Sequence, residues 1–184
     1  VFAQEPDVGQ FHYLEGDTRL ACEATLCLSS SIRPGQCMPS LRRYFDIRRR
    51  TLSKTMNARR DFLSLCPVSS QTPQMQSLIY AISRGAGYCD LQTLNAMGYE
   101  VVDPYTGVAR IVISNQFPWQ CSIYFFNAYD TWQQSGTLPR YVGEPERGGY
   151  WVEAADYDRA LAEYQARIAA ENAAGGRGSG MWWN

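Results

Sequence analysis

Six cysteines, Cys22, Cys27, Cys37, Cys66, Cys89 and Cys121, are spread along a 184-residue chain with 4, 9, 28, 22 and 31 residues between successive ones. No two of them form a C-x-x-C pair, so neither a thioredoxin-type redox motif nor a zinc knuckle is spelled out. His12 is the single histidine. The remaining metal option is an all-thiolate zinc site, which is normally built from two closely spaced cysteine pairs that this chain lacks. An even number of well-spread cysteines instead fits three disulfides, and hence an oxidising compartment such as the periplasm. Many pairings remain open. If the segment from 18 to 28 is a helix, Cys22 and Cys27 lie ~140° apart around it and ~7–8 Å apart along it. That separation forbids a bridge between them, so they must reach different partners. The pairing we favour is Cys27–Cys37 across the Ser/Pro/Gly break, Cys22–Cys66 between helices, and Cys89–Cys121 in the second half.

The hydrophobic pattern predicts a mainly α chain with minor β hairpins, a single disulfide-stapled helical domain. Residues 1–16 read as an irregular arm, 17–173 as the domain, and 174–184 as a Gly-rich tail. Asp17 or Thr18 is expected to cap the first helix, which is apolar on two sides and therefore central. Pro39 suits the first turn of a second helix. In a third, Leu52, Met56, Leu63 and Cys66 fall on one face, and Pro67 ends it. Thr72 caps a fourth that stops at Gly85, and a shorter helix follows to Gly98. Hairpins are predicted near 99–113, around D-P-Y-T-G, and near 140–153. Between them "PWQCSIYFFNAYDTW" is ambiguous; Pro118 at its start favours helix. The final helix carries Tyr157, Ala160, Leu161, Tyr164 and Ile168 as a stripe, with Glu163 and Arg167 an expected i,i+4 pair.

Several chemistries are absent from the sequence. There is no P-loop, G-x-S-x-G or H-E-x-x-H motif, and no cofactor signature. No apolar stretch is long enough for a transmembrane helix. Val1 and Ala3 suit the small-residue pattern before a signal-peptidase cut, which would leave Gln4 as the mature start; an arbitrary beginning of the chain fits as well. The one enzyme class still open is a lysozyme-like muramidase, which needs one placed Glu or a carboxylate pair. Glu15, Glu23 and Asp90 are candidates, with Glu23 on the central helix the best placed. Its simpler role is an ion pair with a basic neighbour.

The formal net charge is −1, but its distribution is uneven. Arg42, Arg43, Arg48, Arg49, Arg50, Lys54, Arg59 and Arg60 fall within nineteen positions that hold one acid, Asp46. Glu144, Glu146, Glu153, Asp156, Asp158, Glu163 and Glu171 turn the C-terminal part acidic. The basic segment reads either as a solvated helical face or as an electrostatic docking patch for an acidic protein or an anionic lipid surface. Nucleic acid is not an expected partner, since no aromatic stacking platform interleaves the cations. Trp182 and Trp183, beyond a glycine-rich stretch, read as an aromatic anchor onto a partner or onto the molecule itself, against the alternative of a frayed tail.

"CEATLCLSS", "PGQCMPSLRRYF", "ARRDFLSLCPV" and "RYVGEPERGGYWVE" together resemble the TrbM/KikA/MpfK conjugal-transfer proteins, over about residues 19–153. The resemblance implies a periplasmic accessory protein of plasmid conjugation and type IV secretion, working in mating-pair formation by contact with protein components of that machinery. It carries no catalytic residues. The rival reading is a peptidoglycan-processing enzyme of the same apparatus with Glu23 as general acid.

Overall fold

The computed structural model describes residues 5–178, with side chains described to residue 175; Val1, Ala3, Trp182 and Trp183 lie outside the described residues. Its central element is α1 (Gly16–Leu28), in which Ala21, Cys22, Glu23, Ala24, Thr25, Cys27 and Leu28 are all buried. A helix covered on so many sides needs neighbours all round it. These are α2 (Met38–Phe45), α3 (Leu52–Leu63) and α4 (Pro73–Gly85), each in contact with α1. With α6 (Trp119–Phe125) and α7 (Thr131–Ser135) they form one compact unit, which among the described residues takes in 5–90 and 117–137. The rest of the described residues, 91–116 and 138–178, forms a second. It holds α5 (Leu91–Ala96), α8 (Tyr157–Gly178) and two antiparallel hairpins, β1 (Gly98–Val102) with β2 (Ala109–Ile113) and β3 (Arg140–Val142) with β4 (Tyr150–Val152). Among the described residues the chain is thus mainly α with two small two-stranded sheets, as its pattern predicts.

Caps and prolines explain the starts of α2, α3 and α4 in the first unit. Thr51 accepts from the Lys54 amide at 3.3 Å, and Thr72 from the Met75 amide at 3.1 Å, each satisfying an orphan donor of the first turn. Pro39 and Pro73 occupy first-turn positions where a missing N–H costs nothing. At α1 the expectation fails. Glu15 is its N-cap and no side chain caps it, because Asp17 is turned away to Arg43. The arm before α1 is also more ordered than its composition suggests: Val8–Phe11 forms a 3-10 turn capped by Asp7, with Val8 buried. On α3 the expected face holds at Met56 and Leu63, whereas Leu52 is exposed, one turn too early to reach the core; the helix ends at Leu63 rather than at Pro67, so Cys66, though buried, lies beyond it.

Three disulfides lie in this unit: Cys22–Cys66, Cys27–Cys37 and Cys89–Cys121, with Cα–Cα distances of 4.8, 6.0 and 5.5 Å. The first ties α1 to the chain leaving α3, the second ties the end of α1 to the turn before α2, and the third ties the chain leaving α4 to α6. α6 lies against α4 at Gly85, where a β-carbon would collide with the Tyr124 side chain. Tyr124 is buried; its hydroxyl donates to the Leu28 carbonyl and accepts from Arg33. Phe117, Phe125 and Trp132 complete an aromatic cluster around it.

The second unit contains no disulfide and is held by packing and hydrogen bonds. Val142, Val152, Ala160 and Tyr164 form its core, with Tyr150, Tyr157, Leu161 and Ile168 against them, so the predicted stripe of α8 faces the β3–β4 hairpin. Gly143 has φ +84° and sits against the Tyr164 ring, whose hydroxyl accepts from the Glu144 amide at 3.1 Å. Only a glycine allows both the left-handed turn and that approach. Asn95 on α5 grips the Trp151 backbone through both its amide and its carbonyl. Tyr141 donates to Ile113 and the Trp151 indole to Ser114, which joins one hairpin to the other. The expected Glu163–Arg167 pair is not made. Arg167 reaches the next turn to Glu171 at 2.6 Å and donates to the Arg147 carbonyl. α8 also continues to Gly178, past the end expected at 173.

Candidate functional site

The basic segment spans α2, the connecting loop 46–51 and α3. Its eight cations separate into two structural ones and six displayed ones. Arg59 is buried, because it falls between Met56 and Phe62 on the inward face of α3. Its guanidinium lies over the rings of Tyr44, Phe45 and Tyr88 at 5.2, 5.3 and 5.8 Å. It donates to the Ile47 carbonyl at 3.2 Å, to the Phe45 carbonyl at 3.4 Å and to the Tyr88 hydroxyl at 3.1 Å. A buried charge of this kind is tolerable when aromatic faces and carbonyl dipoles replace its water. Arg43 makes a bidentate pair with Asp17 at 2.9 and 3.0 Å and lies over the Phe62 ring. The Arg43 hydrogen bond holds the Asp17 carboxyl below its ordinary range, and Asp17 in turn raises Arg43.

Arg42, Arg48, Arg49, Arg50, Lys54 and Arg60 are exposed. Three of them lie in succession on the loop, and the loop is fixed from beneath. Arg59 holds the carbonyls of Phe45 and Ile47, Ile47 is itself buried, and the Arg49 amide donates to the Thr55 hydroxyl at 2.8 Å. Thus one arginine of the run organises the backbone that displays the others. The signal for it was present in the sequence: Arg59 stands three residues from Met56 and from Phe62, on the apolar stripe. An open groove of about 340 Å³ beside the loop is lined by Arg43, Arg49, Asp46, Asp61, Phe62 and Leu65, among others. Buried beneath, Tyr44 donates to the Ile82 carbonyl, and burial drives its phenol well above the ordinary tyrosine range.

Glu23, the candidate general acid, is 4% exposed and accepts from Arg19 Nε at 2.8 Å. Glu15, at the N-cap of α1, is exposed, and Asp90 is exposed beyond α4. An apolar groove of about 240 Å³ does border α1, along Cys22, Leu26, Cys66, Met75, Leu78 and Tyr129, but Glu23 is not in its wall. Among the described residues no cluster of His, Cys, Asp and Glu could hold a metal ion. No described helix is long and apolar enough to cross a membrane.

A helical bundle closed by three disulfides, with a rigid cationic loop as its most concentrated chemical feature, defines a protein built for an oxidising compartment. The family model for TrbM matches residues 13–165, a span wider than the 19–153 of the visible blocks. The chain belongs to the TrbM family, which makes it a plasmid conjugal-transfer protein. No curated protein and no solved structure matches it.

Proposed function

We propose that the protein is exported to the periplasm, its signal peptide removed, and acts there as an accessory component of mating-pair formation in a conjugative type IV secretion apparatus. It works by protein–protein contact, without a cofactor, and the contact is made by the exposed cations of the 42–60 segment. The observation that carries this reading is the loop at Arg48–Arg50, displayed on a backbone that Arg59, Ile47 and Thr55 immobilise. Pre-ordering the loop removes part of the entropic cost of binding, and a patch of one sign selects and steers an acidic partner. Three disulfides support the compartment. The burial of Glu23 against Arg19 supports contact over lysozyme-like catalysis, since a general acid must come within hydrogen-bond reach of the substrate.

The test is charge reversal on the loop. Arg48→Glu, Arg49→Glu and Arg50→Glu together should lower conjugation frequency about tenfold or more while leaving the melting temperature and periplasmic level unchanged. Wild-type transfer from the folded, exported triple variant overturns the reading.

A further inference from the structure

The second unit carries a different surface, and it does not depend on the cationic loop. β1 and β2 form a two-stranded sheet, so each has an edge without a neighbouring strand. The Asp103 amide donates to the Val108 carbonyl, which sets the phase of the ladder. Val101–Arg110 and Tyr99–Val112 are then the bonded pairs, and the amides and carbonyls of Ala109 and Ile111 point away from β1. A cleft of about 320 Å³ is lined by Arg110, Ile111 and Val112 on β2, by the 145–148 turn, and by Arg167 and Glu171 of α8. Successive side chains of a strand point to opposite faces. A cleft lined by three in a row therefore runs along the strand edge, beside the outward backbone groups of Ile111.

The chemistry of the cleft selects an acidic occupant. Arg110, Arg147 and Arg167 border it, against Glu146 and Glu171. Arg147 and Arg167 share the Glu171 carboxylate at 3.2 and 2.6 Å, in pairs that are nearly half exposed and so open to exchange. Their hydrogen bonds hold Glu171 below its ordinary range. Arg110 makes no ion pair among the described residues. Ile111, 69% exposed, adds an apolar shelf. Open strand edges are ordinarily blunted or covered; this one faces a wall in which Arg147 and Arg167 are balanced by Glu146 and Glu171, and the excess positive charge of the cleft is Arg110 on the strand itself.

We propose that the cleft receives an extended acidic segment of a partner protein as a third strand on β2. Its backbone bonds to Ile111, and its carboxylates reach Arg110 and Arg147.

The probe is a short fluorescein-labelled peptide of alternating valine and glutamate, with a valine–lysine peptide as control, added to the full chain. The valine–glutamate peptide should bind and the lysine one should not, and amide NMR shifts should concentrate at Ala109–Ile113. Arg110→Glu and Arg147→Glu should each weaken binding about tenfold. Ile111→Pro, which removes an outward amide without breaking a ladder bond, should abolish it; should that variant fold poorly, Arg110→Glu alone decides. Equal binding of both peptides, or no effect of Arg110→Glu, overturns the proposal. So does a wild-type dimer dispersed by Ile111→Pro, which would assign the edge to a second copy, and so does binding to phosphatidylglycerol vesicles without peptide binding. Arg48→Glu, Arg49→Glu and Arg50→Glu should leave peptide binding unchanged, so the loop and the cleft fail or stand separately.

Discussion

Removing the disulfides one at a time should rank them by the length of chain each closes. The separations are 44 residues for Cys22–Cys66, 32 for Cys89–Cys121 and 10 for Cys27–Cys37. Treating each bridge as lost loop-closure entropy in the unfolded chain gives about 4, 3.7 and 2.7 kcal/mol. All six cysteines are nearly inaccessible, so a pair of Cys→Ala changes also deletes two packed sulfur atoms in every case. That packing loss is common to the three variants and leaves the ranking to the loops. All three bridges belong to the same compact unit, which keeps the comparison within one cooperative transition. Urea unfolding of Cys22→Ala/Cys66→Ala, Cys89→Ala/Cys121→Ala and Cys27→Ala/Cys37→Ala, followed by far-UV circular dichroism, measures the costs directly. The longest and shortest loops should differ by about 1.3 kcal/mol, well above extrapolation error when midpoints are compared at a common slope. If Cys27–Cys37 proves the most costly to remove, the bridges act by holding native geometry and the entropic reasoning is wrong.

Two further perturbations separate structural from displayed groups. Arg59→Ala should cost about 3 kcal/mol in chemical denaturation, because it strips the Phe45 and Ile47 carbonyls of a buried donor, whereas Arg48→Ala should stay within about 0.5 kcal/mol of wild type; equal costs would contradict the division of the basic run. The Tyr141 phenol, pushed up to about 12 chiefly by burial, gives a pH dependence. Its folded value lies above the ordinary ~10 of an unfolded tyrosine, so its contribution is complete below about pH 10 and is lost as pH rises from there toward 12. Tyr141→Phe should flatten that alkaline slope in thermal melts, and an unchanged slope would place the effect elsewhere.

The local features of this chain were legible because their causes are local. Pro39, Thr72, Pro73 and Pro118 act within one turn of themselves, and the alternation flanking D-P-Y-T-G specifies its own hairpin. The misses occur where a side chain had a choice of partner. Asp17 had the chemistry of a cap, but Arg43, distant in sequence, offered it a bidentate pair. Arg167 could reach Glu163 or Glu171 on its own helix, and it takes Glu171 in the orientation that also lets it donate to the Arg147 carbonyl, a partner distant in sequence. The basic run posed the harder problem. A count of charges treats Arg59 and Arg48 alike, although the helical period sets Arg59 on the stripe with Met56 and Phe62. The exposed part of the "YVGEPERGGYW" hairpin, with Arg147, reads from the sequence as a second candidate contact patch, but its joining with Arg110 and Arg167 into one cleft does not, since the walls come from a strand, a turn and a helix that only folding brings together.

The position of the third bridge follows from the path of the chain. The helical unit is interrupted: the chain leaves it after Asp90 and returns at Phe117, having built α5, β1 and β2 of the other unit on the way. An excursion of that length would leave α6 to find its place on α4 against the closure entropy of the whole intervening segment. Cys89 stands just before the point of departure and Cys121 just after the return, so their bond pins the two ends together on the side of the helical unit. Gly85 and Tyr124 then complete the contact through close packing that needs the two elements already aligned. The other two bridges anchor α1, which every surrounding helix uses as its wall. Each disulfide thus sits where the helical unit depends on chain that is distant or loosely connected. The second unit, whose β3, β4 and α8 follow one another directly, closes its core without one.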